Sequence, residues 1–165
     1  MKILVFSDSH SYKNLMNRCI DAVKPDAVIH LGDHYDDTDE LVRKYFDIPF
    51  HQVRGNCDSG SVPLNAPAVL CYAVGGVRFY MTHGHLHNVK MQADRLIYAA
   101  KEAEAQAVLF GQTHSPVCLQ LDDGMWIINP GSCNHAGGSA CLIETKDGKI
   151  SVCRIIRQTD LEALT

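Results

Sequence analysis

No apolar stretch in this 165-residue chain approaches the ~18 residues that a membrane-spanning helix needs. The first such run, Ile3-Leu4-Val5-Phe6, stops at Ser7-Asp8, short of the ~7–15 apolar residues of a secretory signal. Both shortfalls point to a cytoplasmic protein. Basic residues are not in excess either. Fifteen Lys and Arg against 19 Asp and Glu leave a formal charge of −4, which argues against general nucleic-acid or membrane-surface binding. None of the seven cysteines (Cys19, Cys57, Cys71, Cys118, Cys133, Cys141 and Cys153) belongs to a CxxC pair, so no zinc ribbon or dithiol redox motif is written here. An odd count in a reducing compartment reads as free thiols, most of them small hydrophobes within apolar runs. Linkers, repeats and low-complexity segments are missing too, and the length suits one domain over residues 1–165.

What the chain does contain is a succession of short apolar runs and helical patterns. Residues 2–6, 27–31 and 49–53 read as strands. Between them, Leu15, Met16, Cys19, Ile20 and Val23 mark one helical face, and Leu41, Val42, Tyr45 and Phe46 mark another, with Asp36, Asp37 and Thr38 as its N-terminal caps. Residues 68–74 and 77–82 flank Gly75-Gly76, a hairpin signal. Val89, Ala93, Leu96, Ile97 and Ala100 recur at helical spacing, and strand 107–110 follows. Shorter strands near 116–121, 125–128, 139–145 and 149–156 complete the chain. The first half reads as βαβ units and the second as antiparallel strands, which predicts an α/β protein with a mixed sheet, or two sheets, between helices.

Five of these strands end in polar blocks: Asp8-Ser9-His10, Gly32-Asp33-His34, Arg54-Gly55-Asn56-Cys57-Asp58, His83-Gly84-His85 and Gly111-Gln112-Thr113-His114. Ligands of open α/β sheets sit beyond the carboxyl ends of strands, so neighbouring strands would bring these blocks to one site. Six of the nine histidines (10, 34, 83, 85, 87 and 114) lie there. Each block alone has a plain structural explanation, Asp8 as a helix cap and Asp33 as a turn residue. Five in order at strand ends are harder to explain by turns. Hard oxygens and imidazoles without thiolate suit Mn²⁺, Fe, Zn²⁺ or Ni²⁺ better than a cysteine-rich structural zinc site does.

The order Asp-x-His, Gly-Asp-x-x-Asp, Gly-Asn-x-Asp, His-Gly-His and Gly-x-Thr-His resembles the calcineurin-like metallophosphoesterases. Asn129-Pro130-Gly131-Ser132 is similar to their small bacterial and archaeal phosphodiesterase branch. The resemblance implies a four-layer α/β/β/α sandwich of two mixed sheets flanked by helices. It also implies a small phosphate-ester substrate, attacked by a metal-bound hydroxide in a dinuclear site. By the same resemblance one metal takes Asp8, His10, Asp33 and His114, while Asp33 bridges to a second held by Asn56, His83 and position 112. The catalytic residues are then Asp33, Asn56 and His85, and the metals two divalent ions, Mn²⁺ foremost, with Ni²⁺, Zn²⁺, Fe or Mg²⁺ as substitutes.

Two positions depart from the wider family. Gln112 stands where histidine is usual, and a carbonyl oxygen is the poorer ligand, which weakens the second site. Cys57 stands where many relatives outside the small branch carry a histidine that assists the leaving group, which leaves His85 as the candidate acid. Arg54 reads either as a phosphate partner or as half of a surface salt bridge. Gln112 also keeps open an alternative, a catalytically weakened scaffold acting in protein–protein interaction. A thiol hydrolase using Cys57 lacks the arginine six residues on, where Pro63 stands. Self-association, as a homo-oligomer, would use the exposed face of helix 89–105 or strands 117–128.

Overall fold

The computed structural model describes residues 1–161 apart from 59, 61, 64, 135 and 136. Strand β1 (Lys2–Phe6) alternates between two apolar surroundings, which is why its run is unbroken. Ile3 and Val5 face the interior between the two sheets. Leu4 and Phe6 face helix α1 (Lys13–Val23), packing with Leu15, Met16, Cys19 and Ile20 at its i, i+1, i+4, i+5 positions. That helix stops at Lys24, which takes a left-handed φ of 50°, and Pro25 follows.

Strand β2 (Ala27–His30), helix α2 (Thr38–Lys44) and strand β3 (Phe50–Gln52) come next. Strands β1, β2 and β3 pair in parallel. Near the chain's end, β9 (Ser139–Lys146) pairs antiparallel with β1, and β10 (Lys149–Arg157) with β9. The first sheet therefore runs β10-β9-β1-β2-β3.

The second sheet starts with the expected hairpin, β4 (Val69–Val74) and β5 (Val77–Thr82). Helix α3 (Asp94–Glu102) then leads into β6 (Ala107–Leu109), which lies parallel to β5. Strands β7 (Val117–Gln120) and β8 (Trp126–Asn129) form a hairpin, but β8 is parallel to β6, giving the order β4-β5-β6-β8-β7. The second half is thus mixed rather than purely antiparallel.

Phe79, Met81, Ala107, Leu109 and Ile128 meet Ile3, Val5, Ala27 and Ile29 between the sheets. Tyr80, Val108 and Phe110 pack outward on Leu96 and Ala100 of α3. Layer by layer, the molecule reads α1/α2, first sheet, second sheet, α3, the expected α/β/β/α sandwich. A four-residue helix α4 (Gln158–Leu161) rests against α1. Among the described residues no helix is long and apolar enough to cross a membrane.

Two sequence readings are corrected. Helix α2 ends at Lys44, so Phe46 projects beyond it and is 87% exposed, and Val42 is exposed as well. Cysteines 118 and 153 are not free thiols: a disulfide joins them, with Cα atoms 6.3 Å apart. Edge strands β7 and β10 face each other across the interior, which brings the two side chains within bonding range. The other five cysteines are free.

Candidate metal centre

The five polar blocks belong to two sheets, three after β1, β2 and β3 and two after β5 and β6. Hydrogen bonds tie their tips together. Asp8 N–H donates to the Gly32 carbonyl at 3.0 Å, and Gly111 N–H to the His83 carbonyl at 3.0 Å. Gln112 N–H donates to Asp8 Oδ2 at 3.1 Å, and Cys57 N–H to Asp33 Oδ1 at 2.9 Å. Asp58 holds the second and third blocks, its Oδ2 accepting from Asp33 N–H at 3.0 Å and Gly55 N–H at 2.7 Å. At Gly55 and Gly111 an added Cβ would collide with the Asp33 and Ser7 side chains, so the close approach of these loops requires glycine.

The backbone is strained where the blocks meet. Among the described residues, seven of the eleven non-glycine residues with positive φ are Asp8, His10, Ser11, Asp33, His34, Gln112 and His114. Asp, Asn and His tolerate this region best among L residues, and such strain gathers at functional sites.

Two side-chain triads result. Asp8, His10 and His114 bring one ligand atom each within 4.8 Å of one another, and so do Asp8, Asp33 and His83. Asp8 is the carboxylate common to both. Its Oδ1 lies 3.0 Å from His114 Nε2 and 3.9 Å from His83 Nε2, and Asp33 Oδ2 lies 3.4 Å from His83 Nε2. Asn56, His85 and Gln112 line an adjoining recess of about 270 Å³, with Asn88 and Lys90. The Asn56 amide turns to Cys57 Sγ at 3.3 Å.

A divalent cation fits this arrangement. The Leu31 carbonyl can only accept, so at 2.8 Å it fixes the proton on His83 Nδ1 and leaves Nε2 facing two carboxylates. Buried Asp8 Oδ1, His83 Nε2 and Gln112 Oε1 have no hydrogen-bond partner. Electron pairs facing one another in a dry site call for a proton or a cation among them. Burial raises the Asp33 pKa, but the contacts with His83 and the Cys57 N–H outweigh it and hold the carboxyl well below its usual range. His83 shows the complement: burial lowers it, and Asp33 and Asp8 more than reverse this.

Other expected residues have different occupations. Asp37 caps nothing with its side chain; its Oδ2 accepts from Ser9 Oγ and Ser11 N–H, both at 2.7 Å. His87 reaches Tyr80 Oη at 3.2 Å instead of the site. Arg54 is exposed and makes no salt bridge among the described residues, against the surface-pair reading. Burial, then Asp33, pushes the Cys57 thiol up to about 11, which is wrong for a nucleophilic thiolate. Lys90 was missed, and nothing in its spacing marks it. Asp58 was visible within its block, but its clamp role depends on a contact 25 residues away.

Two mixed sheets thus bring Asp and His together at their joined edge. The sequence matches the calcineurin-like phosphoesterase superfamily domain over residues 1–148, and the chain belongs to that family. It is 31% identical over 132 residues to a "Probable metallophosphoesterase" of Bacillus subtilis (strain 168), covering 80% of this chain and 75% of that one. A solution structure of a Thermotoga maritima protein is 32% identical, with a TM-score of 0.65 over 95% of this chain and 98% of that one. Vps29 of Entamoeba histolytica, complexed with zinc, has a TM-score of 0.74 at 18% identity, over 95% and 99% of the two chains, a likeness of fold.

Proposed function

We propose that the chain is a phosphodiesterase that works with two divalent cations, manganese foremost, held by Asp8, His10, Asp33, Asn56, His83, Gln112 and His114. The observation that carries this reading is Asp8, shared by two triads and keeping a buried oxygen without a hydrogen-bond partner. Such a cation pair, when bound, supplies an activated water and neutralises charge on the phosphoryl oxygens.

The chain's own residues do the rest. Asp33, whose carboxyl is held well below its usual range, carries negative charge beside Asp8 at the centre. Asn56 and Gln112 line the recess beside it. His85, whose buried Nδ1 is without a partner, stands in that recess as proton donor to the leaving oxygen. Arg54 and Lys90 offer positive charge to the phosphate. Burial first, then His83 and Arg54, lower the pKa of His85, so its proton-donating form grows as pH falls.

The test is hydrolysis of bis(p-nitrophenyl) phosphate by protein supplied with Mn²⁺. Asp33→Asn and His114→Ala should each lower the rate by about 10²-fold or more, as expected for loss of electrostatic stabilisation at the reacting centre. A wild-type-like rate in either variant refutes the assignment. Gln112 supports a second reading, a scaffold on the same fold. That reading gains if the wild-type protein is silent with every divalent cation and Gln112→His restores turnover.

A further inference from the structure

His114 also forms part of a second recess, of about 450 Å³, lined with Ser132, Asn134, Ser139, Arg157 and Gln158 among others. Its size falls in the range of small-molecule sites, about 300–1,000 Å³. No carboxylate lines it among the described residues. One wall includes Ser132, the last residue of the Asn129-Pro130-Gly131-Ser132 segment, which also braces the strand tips of the metal centre. Asn129 Nδ2 donates to the Gly111 carbonyl at 2.9 Å and Thr113 Oγ1 at 3.0 Å. Ser132 Oγ donates to the Asp8 carbonyl at 2.8 Å, and Ser139 Oγ to the Pro130 carbonyl at 2.7 Å. Ser139 pairs with Arg157 across β9 and β10. A continuous hydrogen-bonded path thus fixes Arg157 relative to Asp8.

Two groups in this recess lack partners. The Arg157 guanidinium has no salt bridge among the described residues; only its backbone N–H is engaged, by Asp160 Oδ2 at 2.8 Å. The buried Oδ1 of Asn134 has no hydrogen-bond partner, although its N–H donates to Ser132 Oγ at 3.1 Å. A planar guanidinium suits bidentate contact with phosphate, and an unpaired buried amide oxygen suits a hydroxyl donor.

We propose that this recess receives a second phosphate carried on one arm of the substrate, so that the enzyme prefers diesters of phosphorylated, hydroxyl-bearing alcohols. The inference rests on the phosphodiesterase reading above and adds the substrate class. Arg157 is its specificity residue, and Asn134 orients the arm.

The experiment compares two esters with the same leaving group, the p-nitrophenyl ester of uridine 5′-monophosphate and that of uridine 3′,5′-bisphosphate, which keeps a free 2′-hydroxyl. Wild type should favour the bisphosphate by about tenfold or more in kcat/KM, chiefly through KM, the order expected for one charge-assisted bidentate contact. Arg157→Ala should bring the ratio near unity. Arg157→Lys, which keeps the charge without the fork, should give an intermediate ratio. Thermal melts of both variants check that the fold is kept. Equal kcat/KM for the two esters in wild type overturns the proposal, as does a preference that survives Arg157→Ala in a folded variant. Hydrolysis of bis(p-nitrophenyl) phosphate without any bisphosphate preference sinks this inference alone; no hydrolysis of any diester sinks the phosphodiesterase reading with it.

Discussion

His30 ends β2 with no solvent exposure, and its neighbours dictate its tautomer. Gly32 N–H donates to Nδ1 at 3.3 Å, so Nε2 carries the proton and donates to Ser9 Oγ at 3.2 Å. Ser9 Oγ in turn donates to Asp37 Oδ2. Protonating Nδ1 would break this chain, and burial, partly offset by Asp58, Asp8 and Asp37, pulls His30 down to about 4. An unfolded histidine titrates near ~6.5, so between these values the unfolded state binds the extra proton. Stability from neutral His30 is therefore complete above the unfolded value and falls as pH drops toward 4. The loss is on the order of 3 kcal/mol. Urea denaturation in chelator from pH 7 to 4 should show this slope, and His30→Gln should flatten it. Gln112 poses a question of ligand chemistry instead. Its Oε1 is buried and unpartnered beside Asp8, and its φ of 63° is one that histidine tolerates. Gln112→His should raise the retained metal toward two ions per chain, read by elemental analysis after dialysis. Unchanged stoichiometry would mean that position 112 does not face a cation.

At the scale of elements, sequence patterns succeeded where local chemistry decides the outcome. Short apolar runs closed by polar or glycine residues marked four of the five site-bearing strands, β1, β2, β5 and β6, because a buried strand must end where its side chains turn polar, whereas β3, Phe50-His51-Gln52, is only half-buried. Helix α2 failed because periodicity carries no information past a helix end. At seven residues it is about two turns long, and Tyr45 already leaves helical geometry at φ −112°. The consequence can be measured. Leu41, 1% exposed against β1 and β2, should cost about 2–5 kcal/mol when cut to alanine. Phe46→Ala should change stability by less than about 0.5 kcal/mol, as surface substitutions do. Comparable losses in urea midpoints would return Phe46 to the core. The placement of β8 beside β6 was illegible for another reason. A hairpin signal fixes how β7 and β8 pair with each other, but the strand that docks beside β6 is chosen by packing on Leu109 and Ile128.

For the whole molecule, the site depends on which edges of two sheets lie together, and no spacing within the sequence encodes that. Asp8 and Gln112 meet across 104 positions. The order of the blocks made the convergence legible through family resemblance, while the membership of Asp8 in both triads emerged only from the geometry. The disulfide is the same kind of fact. Cys118 and Cys153 lie 35 positions apart on different sheets, so counting cysteines could not pair them. Cys141 Sγ sits 3.7 Å from Cys153 Sγ, which makes this edge rich in sulfur. A bond here fastens the two sheets opposite one another and should add about 3–4 kcal/mol by restricting the unfolded chain. In a reducing compartment the same pair would stand as two packed thiols. Thiol titration in denaturant separates the two. With the bond in place, five of the seven cysteines react before reduction and all seven after it, and reductant lowers the melting temperature. Seven reactive thiols in protein purified without reductant would mean that packing alone joins the sheets, and the stability of Cys118→Ser should then match wild type.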